Sequence, residues 1–93
     1  MDLSIAESAI RNFLIDDLLY DRNLKKLSAD DPLLSEGLLD SLAILKTVAF
    51  CEETFGISIP DEEVLPDHFE TIRAIGQLVE RLMASPSGHL SGR

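Results

Sequence analysis

The sequence predicts an all-α domain, a four-helix bundle with three longer helices and one short one. Three observations carry that expectation. Hydrophobic residues make up 45% of the chain but aromatic ones only 5%, with no Trp, so the core must be aliphatic. Apolar residues recur at helical spacing in three stretches. The one strand-like alternation, Ile57-Ser58-Ile59-Pro60, has no second strand to pair with, and an isolated pair is marginal. Ninety-three residues build one core and not two.

The first helix is expected from residue 3 to about 19, with Ala6, Ile10, Phe13 and Leu14 on one face. Ser4 followed by Glu7 three residues later has the capping-box pattern. Asp2 and Glu7 suit the positive end of that helix. Asp21-Arg22-Asn23 reads as a turn, so the helix should fray through Leu18-Leu19-Tyr20. A long connection follows, residues 21 to 39, in which Pro32 bars Asp31 from a helix. Its leucines are too frequent for a free linker. Leu27, Leu34 and Leu38 are expected to pin it to the core, with a short helical turn.

The second helix spans residues 41 to 55 and stops at Gly56. Ile44, Val48, Cys51 and Phe55 form one stripe, bordered by Thr47. Leu42, Leu45 and Ala49 lie on another face, beside Lys46. A small domain has little core left for a second apolar face, so the helix is either buried on two sides or offers this face to a partner. Ile57 and Ile59 anchor the next loop, and Asp61-Glu62-Glu63 is an exposed acidic turn. Pro66 opens a short third helix with Phe69 as its anchor. Thr71 caps a fourth, at 72 to 84, with Ile72, Ile75, Val79 and Leu82 on one stripe. Gly76 inside it implies close helix packing. Residues 1 to 84 therefore form the domain, and the small, polar residues 85 to 93 a disordered tail.

Eight basic against seventeen acidic residues leave a net charge of −9, which disfavours nucleic acid and anionic membrane surfaces. Eight acids and a single base, Lys46, lie between Asp40 and Glu70, so a partner docking there should be basic or apolar. One cysteine, Cys51, excludes an intrachain disulfide and a multi-thiolate metal site. Neither a signal peptide nor a membrane span is expected, and the default compartment is cytoplasmic.

Catalysis by this chain is not expected. A nucleophilic serine needs an oriented base, and the only histidines are His68 and His89. Asp61, Glu62, Glu63 and Asp67 lack the ligand alternation of a calcium loop. What stands out is Ser41, at a helix start beside Asp40, either of which suits the N-cap. Unpaired backbone amides make that place favourable for a phosphate. On position alone, Ser41 is a helix cap or a site that another enzyme modifies.

The surroundings decide between these. Asp40-Ser41-Leu42, preceded by Gly37-Leu38-Leu39, resembles the attachment motif of acyl carrier proteins in the broad sense that includes peptidyl and aminoacyl carriers. Glu52-Glu53-Thr54-Phe55-Gly56-Ile57, Ile59-Pro60-Asp61-Glu62-Glu63 and Phe69-Glu70-Thr71-Ile72 resemble the family's later segments, in register, over residues 4 to 84. The resemblance implies an acyl-carrier-protein-like bundle and a 4′-phosphopantetheine arm on Ser41. A phosphopantetheinyl transferase would install the arm from coenzyme A with magnesium. The working thiol would belong to the arm and not to Cys51. Asp40, Leu42, Leu45, Lys46 and Ala49 would form the partner-docking surface.

Carriers of fatty acid synthesis have several acids in the first half of helix two, where this chain reads Ala43, Ile44, Leu45, Lys46. The sequence is closer to freestanding aminoacyl, peptidyl or D-alanyl carriers. The expected function is thus a monomeric, non-catalytic carrier of an aminoacyl or other acyl thioester. An ATP-dependent amino acid or acyl ligase would load it, and a downstream acyl-accepting enzyme would draw on it. The alternatives are a carrier for fatty acid or polyketide synthesis and, from another class, an unmodified helical docking module.

Overall fold

A computed structural model of the chain describes residues 4–18 and 27–84. Among them are three α-helices and no strand: α1 (Ile5–Phe13), α2 (Ser41–Phe55) and α3 (Ile72–Ala84). The expected fraying at residues 19 and 20, the turn at 21 to 23 and the tail at 85 to 93 lie outside the described residues, as does Asp2.

Local capping chemistry sets where each helix begins. The Glu7 N–H donates to Ser4 Oγ and the Ser4 N–H donates to Glu7 Oε1, each at 3.1 Å, completing the capping box of α1. The Ala74 N–H donates to Thr71 Oγ1 at 3.0 Å at the start of α3. At the end of α2, Gly56 takes the left-handed conformation, φ 66°, and its N–H returns to the Glu52 carbonyl at 3.0 Å.

The first helix departs from expectation in its second half. It widens into a π-helical segment at Leu14–Leu18 instead of continuing regularly. Phe13, Leu14 and Ile15 are successive apolar residues, and all three pack against the core. A regular helix spreads three such residues over roughly 200°, so the sequence here does not fit a single 3.6-residue stripe.

The core is aliphatic, closed by Ile10, Leu14, Leu33, Ile72, Ile75, Val79 and the lone aromatic Phe69, all fully buried. Helix α1 packs chiefly on α3. The approach is tightest at Gly76, where a Cβ would lie 2.8 Å from Glu7 Cγ. That contact accounts for a glycine in mid-helix. Phe13 of α1 stacks on Phe50 of α2 with ring centroids 4.3 Å apart, and Phe50 meets Phe55 edge-on at 6.3 Å.

The expected short helix is reduced to one turn. Pro66–His68 forms a single 3₁₀ turn, as does Asp61–Glu63 before it. Its bonds span three residues, His68 N–H to the Leu65 carbonyl and Phe69 N–H to the Pro66 carbonyl. The chain leaves helical geometry at Phe69, φ −120° and ψ 13°, as that side chain enters the core.

The connection into α2 is held down as expected, by the expected Leu27 but otherwise by different leucines. Leu27, Leu33 and Leu39 are buried, whereas Leu34 and Leu38 pack only partly. Backbone geometry made the choice. The Leu38 and Leu39 N–H groups both return to the Leu33 carbonyl, at 2.8 and 3.2 Å, with Gly37 left-handed at φ 73° between them. Arg11 Nε donates to the Leu27 carbonyl at 2.9 Å. Arg73 holds Asp30 through two bonds, 2.7 and 3.0 Å, and its N–H reaches the Ala29 carbonyl at 2.9 Å.

Candidate functional site

Asp40 is the N-cap of α2, and Ser41 is the first residue of the helix. The Asp40 backbone is extended, φ −109° and ψ −175°, and Oδ1 accepts the Ala43 N–H at 2.8 Å. The Asp40 carbonyl takes the first helical bond, from the Ile44 N–H at 2.9 Å. The capping role left open by the sequence thus falls to Asp40. Ser41 is exposed, and its hydroxyl makes no hydrogen bond among the described residues. Leu39, one residue before the cap, is buried and fixes the entry of the chain.

The site therefore offers a primary alcohol at the positive end of a fifteen-residue helix. One amide of the first turn is taken by Asp40, while those of Ser41 and Leu42 have no intrahelical acceptor. Such an end favours an anion by about 0.3–1 kcal/mol at an exposed site. A phosphodiester on Ser41 Oγ fits both the space and the field. The His68 ring is occupied elsewhere: Nδ1 bonds the Glu63 carbonyl at 2.8 Å and lies 3.4 Å from Glu63 Oε1.

The two faces of α2 differ sharply. Thr47 and Cys51 are its fully buried residues, flanked by partly buried Ile44, Val48 and Phe55. Thr47 Oγ1 donates to its own helix, to the Ala43 carbonyl at 2.8 Å, and so enters the core satisfied. Burial, with a smaller contribution from the Glu52 charge, pushes the Cys51 thiol up to about 12. It is a poor nucleophile at neutral pH. On the opposite side Leu42 and Leu45 are 60% and 59% exposed. Lys46 and Ala49 are exposed too, and helical spacing places the four on one face that includes Ser41.

The acids from Asp40 to Glu70 are less uniform than their sequence density implies. Asp40 caps α2, and Glu52 Oε2 accepts the Ile59 N–H at 2.8 Å. Glu63 meets Arg81 at 3.0 Å, which holds its carboxyl below the usual range. Glu70 binds Ser35. Glu53, Asp61, Glu62 and Asp67 are exposed. Sequence reading passed over Leu65, 46% exposed between the two 3₁₀ turns, and the Ser35–Glu70 pair. No local signal links two residues thirty-five positions apart.

Comparison with known proteins bears directly on this site. A model of the phosphopantetheine attachment site family matches residues 10–79. The D-alanyl carrier proteins of Streptococcus pyogenes serotype M5 (strain Manfredo) and serotype M1 are each 34% identical to this chain over 80 residues. The match covers 86% of this chain and 96% of theirs. A chain in a solved structure described as that of an FAD-dependent dehydrogenase superposes with a TM-score of 0.70 at 34% identity. It is matched over 99% of its length by 76% of this chain, so it is itself small. The family match spans the helix start at Ser41, and the chain belongs to the phosphopantetheine-binding carrier proteins, which bear 4′-phosphopantetheine covalently.

Proposed function

We propose that the chain is a freestanding carrier of an aminoacyl group, held as a thioester on 4′-phosphopantetheine attached to Ser41. A separate ATP-dependent ligase would load it, and partner enzymes would draw on it, in the cytoplasm. The observation that supports this most is the exposed, unbonded Ser41 hydroxyl one residue after the Asp40 cap, inside the matched region. Identity to D-alanyl carrier proteins over most of the chain supports an amino acid as cargo.

Once attached, the arm supplies a thiol that activates an acid at its carbonyl and tethers it at high effective concentration. The chain's own residues do three things. Ser41 Oγ is the acceptor that the phosphopantetheinyl transferase must reach. Asp40 rigidifies that position by capping α2, so that the helix end faces the phosphodiester. Leu42, Leu45 and Ala49 with Lys46 form the face on which partners rest. Its centre carries one base, Lys46, with acids only at its two ends, Asp40 and Glu53, so that contact should depend less on salt than acid-led docking does. Among the described residues no helix is long and apolar enough to cross a membrane.

Intact-protein mass spectrometry after incubation with coenzyme A, magnesium and a broad-specificity transferase tests the proposal. Wild type should gain one arm and Ser41→Ala none. An unchanged wild-type mass would leave the unmodified docking module as the better reading. Equal gain in Ser41→Ala would remove the site from Ser41.

A second reading concerns the downstream enzyme only. The structurally similar small chain occurs in a structure of an FAD-dependent dehydrogenase. By that likeness an enzyme acting on the loaded carrier here would be a flavin dehydrogenase, which would take two hydrogens from the tethered acyl group onto FAD and leave that group on the arm. Bleaching of the flavin by the loaded carrier, but not by the free amino acid, would support it. Absence of bleaching would leave simple acyl transfer.

A further inference from the structure

The turn that delivers Ser41 is tied to a residue far away in the chain. Glu70, just before α3, reaches residues 33 to 35 by both its backbone and its side chain. Its carbonyl accepts the Leu33 N–H at 2.6 Å. Its Oε2 accepts the Ser35 hydroxyl at 2.8 Å and the Ser35 N–H at 3.4 Å. Leu33, held from one side by Glu70, holds the other end of the turn, because its carbonyl takes the N–H groups of Leu38 and Leu39. Asp40 and Ser41 follow at once.

We propose that Glu70, acting through Ser35, is a positioning residue for modification of Ser41: it fixes the 33–39 turn from which α2 begins. The inference rests on the reading of Ser41 as the attachment site. Two features separate this role from general support of the fold. The Ser35–Glu70 contact is exposed, so its loss costs global stability little. The surrounding ties are independent of the Glu70 side chain. Arg73 still holds Asp30 and the Ala29 carbonyl, and the Leu33 N–H still meets a backbone carbonyl. What relaxes on truncation is the turn itself, residues 34 to 39, next to the acceptor hydroxyl. Gly37 within it has open space where a Cβ would sit, so at its apex only the flanking leucines oppose that relaxation.

Two measurements on the intact chain test the proposal. The first is amide hydrogen exchange at Leu38 and Leu39 in the unmodified protein. Glu70→Ala and Ser35→Ala should each speed it by about three- to tenfold, the size expected for losing one ordinary net hydrogen bond. The second is transfer from coenzyme A by a broad-specificity transferase. The same variants should raise KM by a similar factor and leave kcat nearly unchanged. Glu70→Gln, which can still accept the hydroxyl, should restore most of both. The double variant should be no worse than either single one, since both remove one contact. Unchanged exchange overturns the clamp. So does faster exchange with an unchanged KM, or additive effects in the double variant. If wild type gains no arm on Ser41 at all, it is the attachment reading that falls, and the exchange result still reports whether the clamp exists.

Discussion

Helices α2 and α3 are of similar length, yet they use their apolar residues in opposite ways. In α3 the buried residues are Ile72, Ile75, Gly76, Leu78 and Val79, while Gln77, Glu80 and Arg81 face solvent. Helix α2 buries only Thr47 and Cys51 fully, and leaves Leu42 and Leu45 mostly exposed. An exposed leucine is ordinary by itself. Two of them on the face that carries Ser41, in a helix whose best-buried residues are a threonine and a cysteine, show a different division of labour. Helix α3 is built for the core. Helix α2 leaves part of its apolar surface outside the core, on the face where we propose that partners rest. The substitutions below test that contrast, ranked by what each costs the fold.

The largest effect should come from Ile75→Ala in α3. Ile75 is fully buried, and truncation of such a side chain costs about 2–5 kcal/mol. Domains have only about 5–15 kcal/mol in total. The urea midpoint should therefore fall steeply, and a change no larger than that of a surface variant would break the contrast. Gly76→Ala comes next. The new Cβ would meet Glu7 Cγ at 2.8 Å, and Glu7 is buried and tied to Ser4 through the capping box. Overpacking of that kind costs about 1–3 kcal/mol, while the gain in helix propensity returns at most about 1. Net destabilisation should appear in the same denaturation experiment, and a stabilised variant would show that Glu7 moves aside freely.

The ends of the helices were legible because they rest on local chemistry. Ser4 with Glu7, Thr71 and Gly56 marked boundaries that the structure reproduces. Ser41, which we propose as the attachment residue, stood out for the same reason, at a helix start that Asp40 caps and with the family motif on both sides of it. Legibility failed where a long-range contact decides. Four leucines stand at 33, 34, 38 and 39, and no periodicity tells which face inward; the left-handed Gly37 and the Leu33 carbonyl do. The short third helix is no more than one 3₁₀ turn because Phe69 leaves helical geometry to reach the core, which capping signals at Pro66 do not reveal. Phe50 was unassigned because its partner, Phe13, lies on another helix.

Leu45→Asp should be nearly silent for the fold and severe for function. The side chain is 59% exposed, so the change should cost no more than about 0.7 kcal/mol, the spread of helix propensity. If the outer face of α2 is where partners rest, a charge at its centre should reduce loading by at least about thirtyfold, the size of an interface hot spot. Circular dichroism and a ligase-dependent loading assay measure the two sides. Loss of helix together with loading would mean that this face belongs to the core after all.

Acid should act on the α3 side of the molecule through small contributions. Arg73 and Arg81 both belong to α3, and each hydrogen-bonds a carboxylate of a preceding loop. The Arg73 hydrogen bond lowers Asp30, and the Arg81 hydrogen bond lowers Glu63, from their ordinary values near 4. A carboxylate whose folded pKa lies below its unfolded one stabilises the protein above the unfolded value, and that support vanishes as pH falls through the folded one. Stability should therefore be flat above about pH 5 in this respect and decline below about pH 4. Because both pairs are solvent-exposed, the decline should be shallow. Replacing the acids by Asp30→Asn and Glu63→Gln should flatten the slope of the urea midpoint between neutral and acid pH, while lowering the neutral-pH midpoint slightly. An unchanged slope in the double variant would assign the acid sensitivity to other carboxylates. It would leave these two bridges without a measurable part in holding the loops to α3.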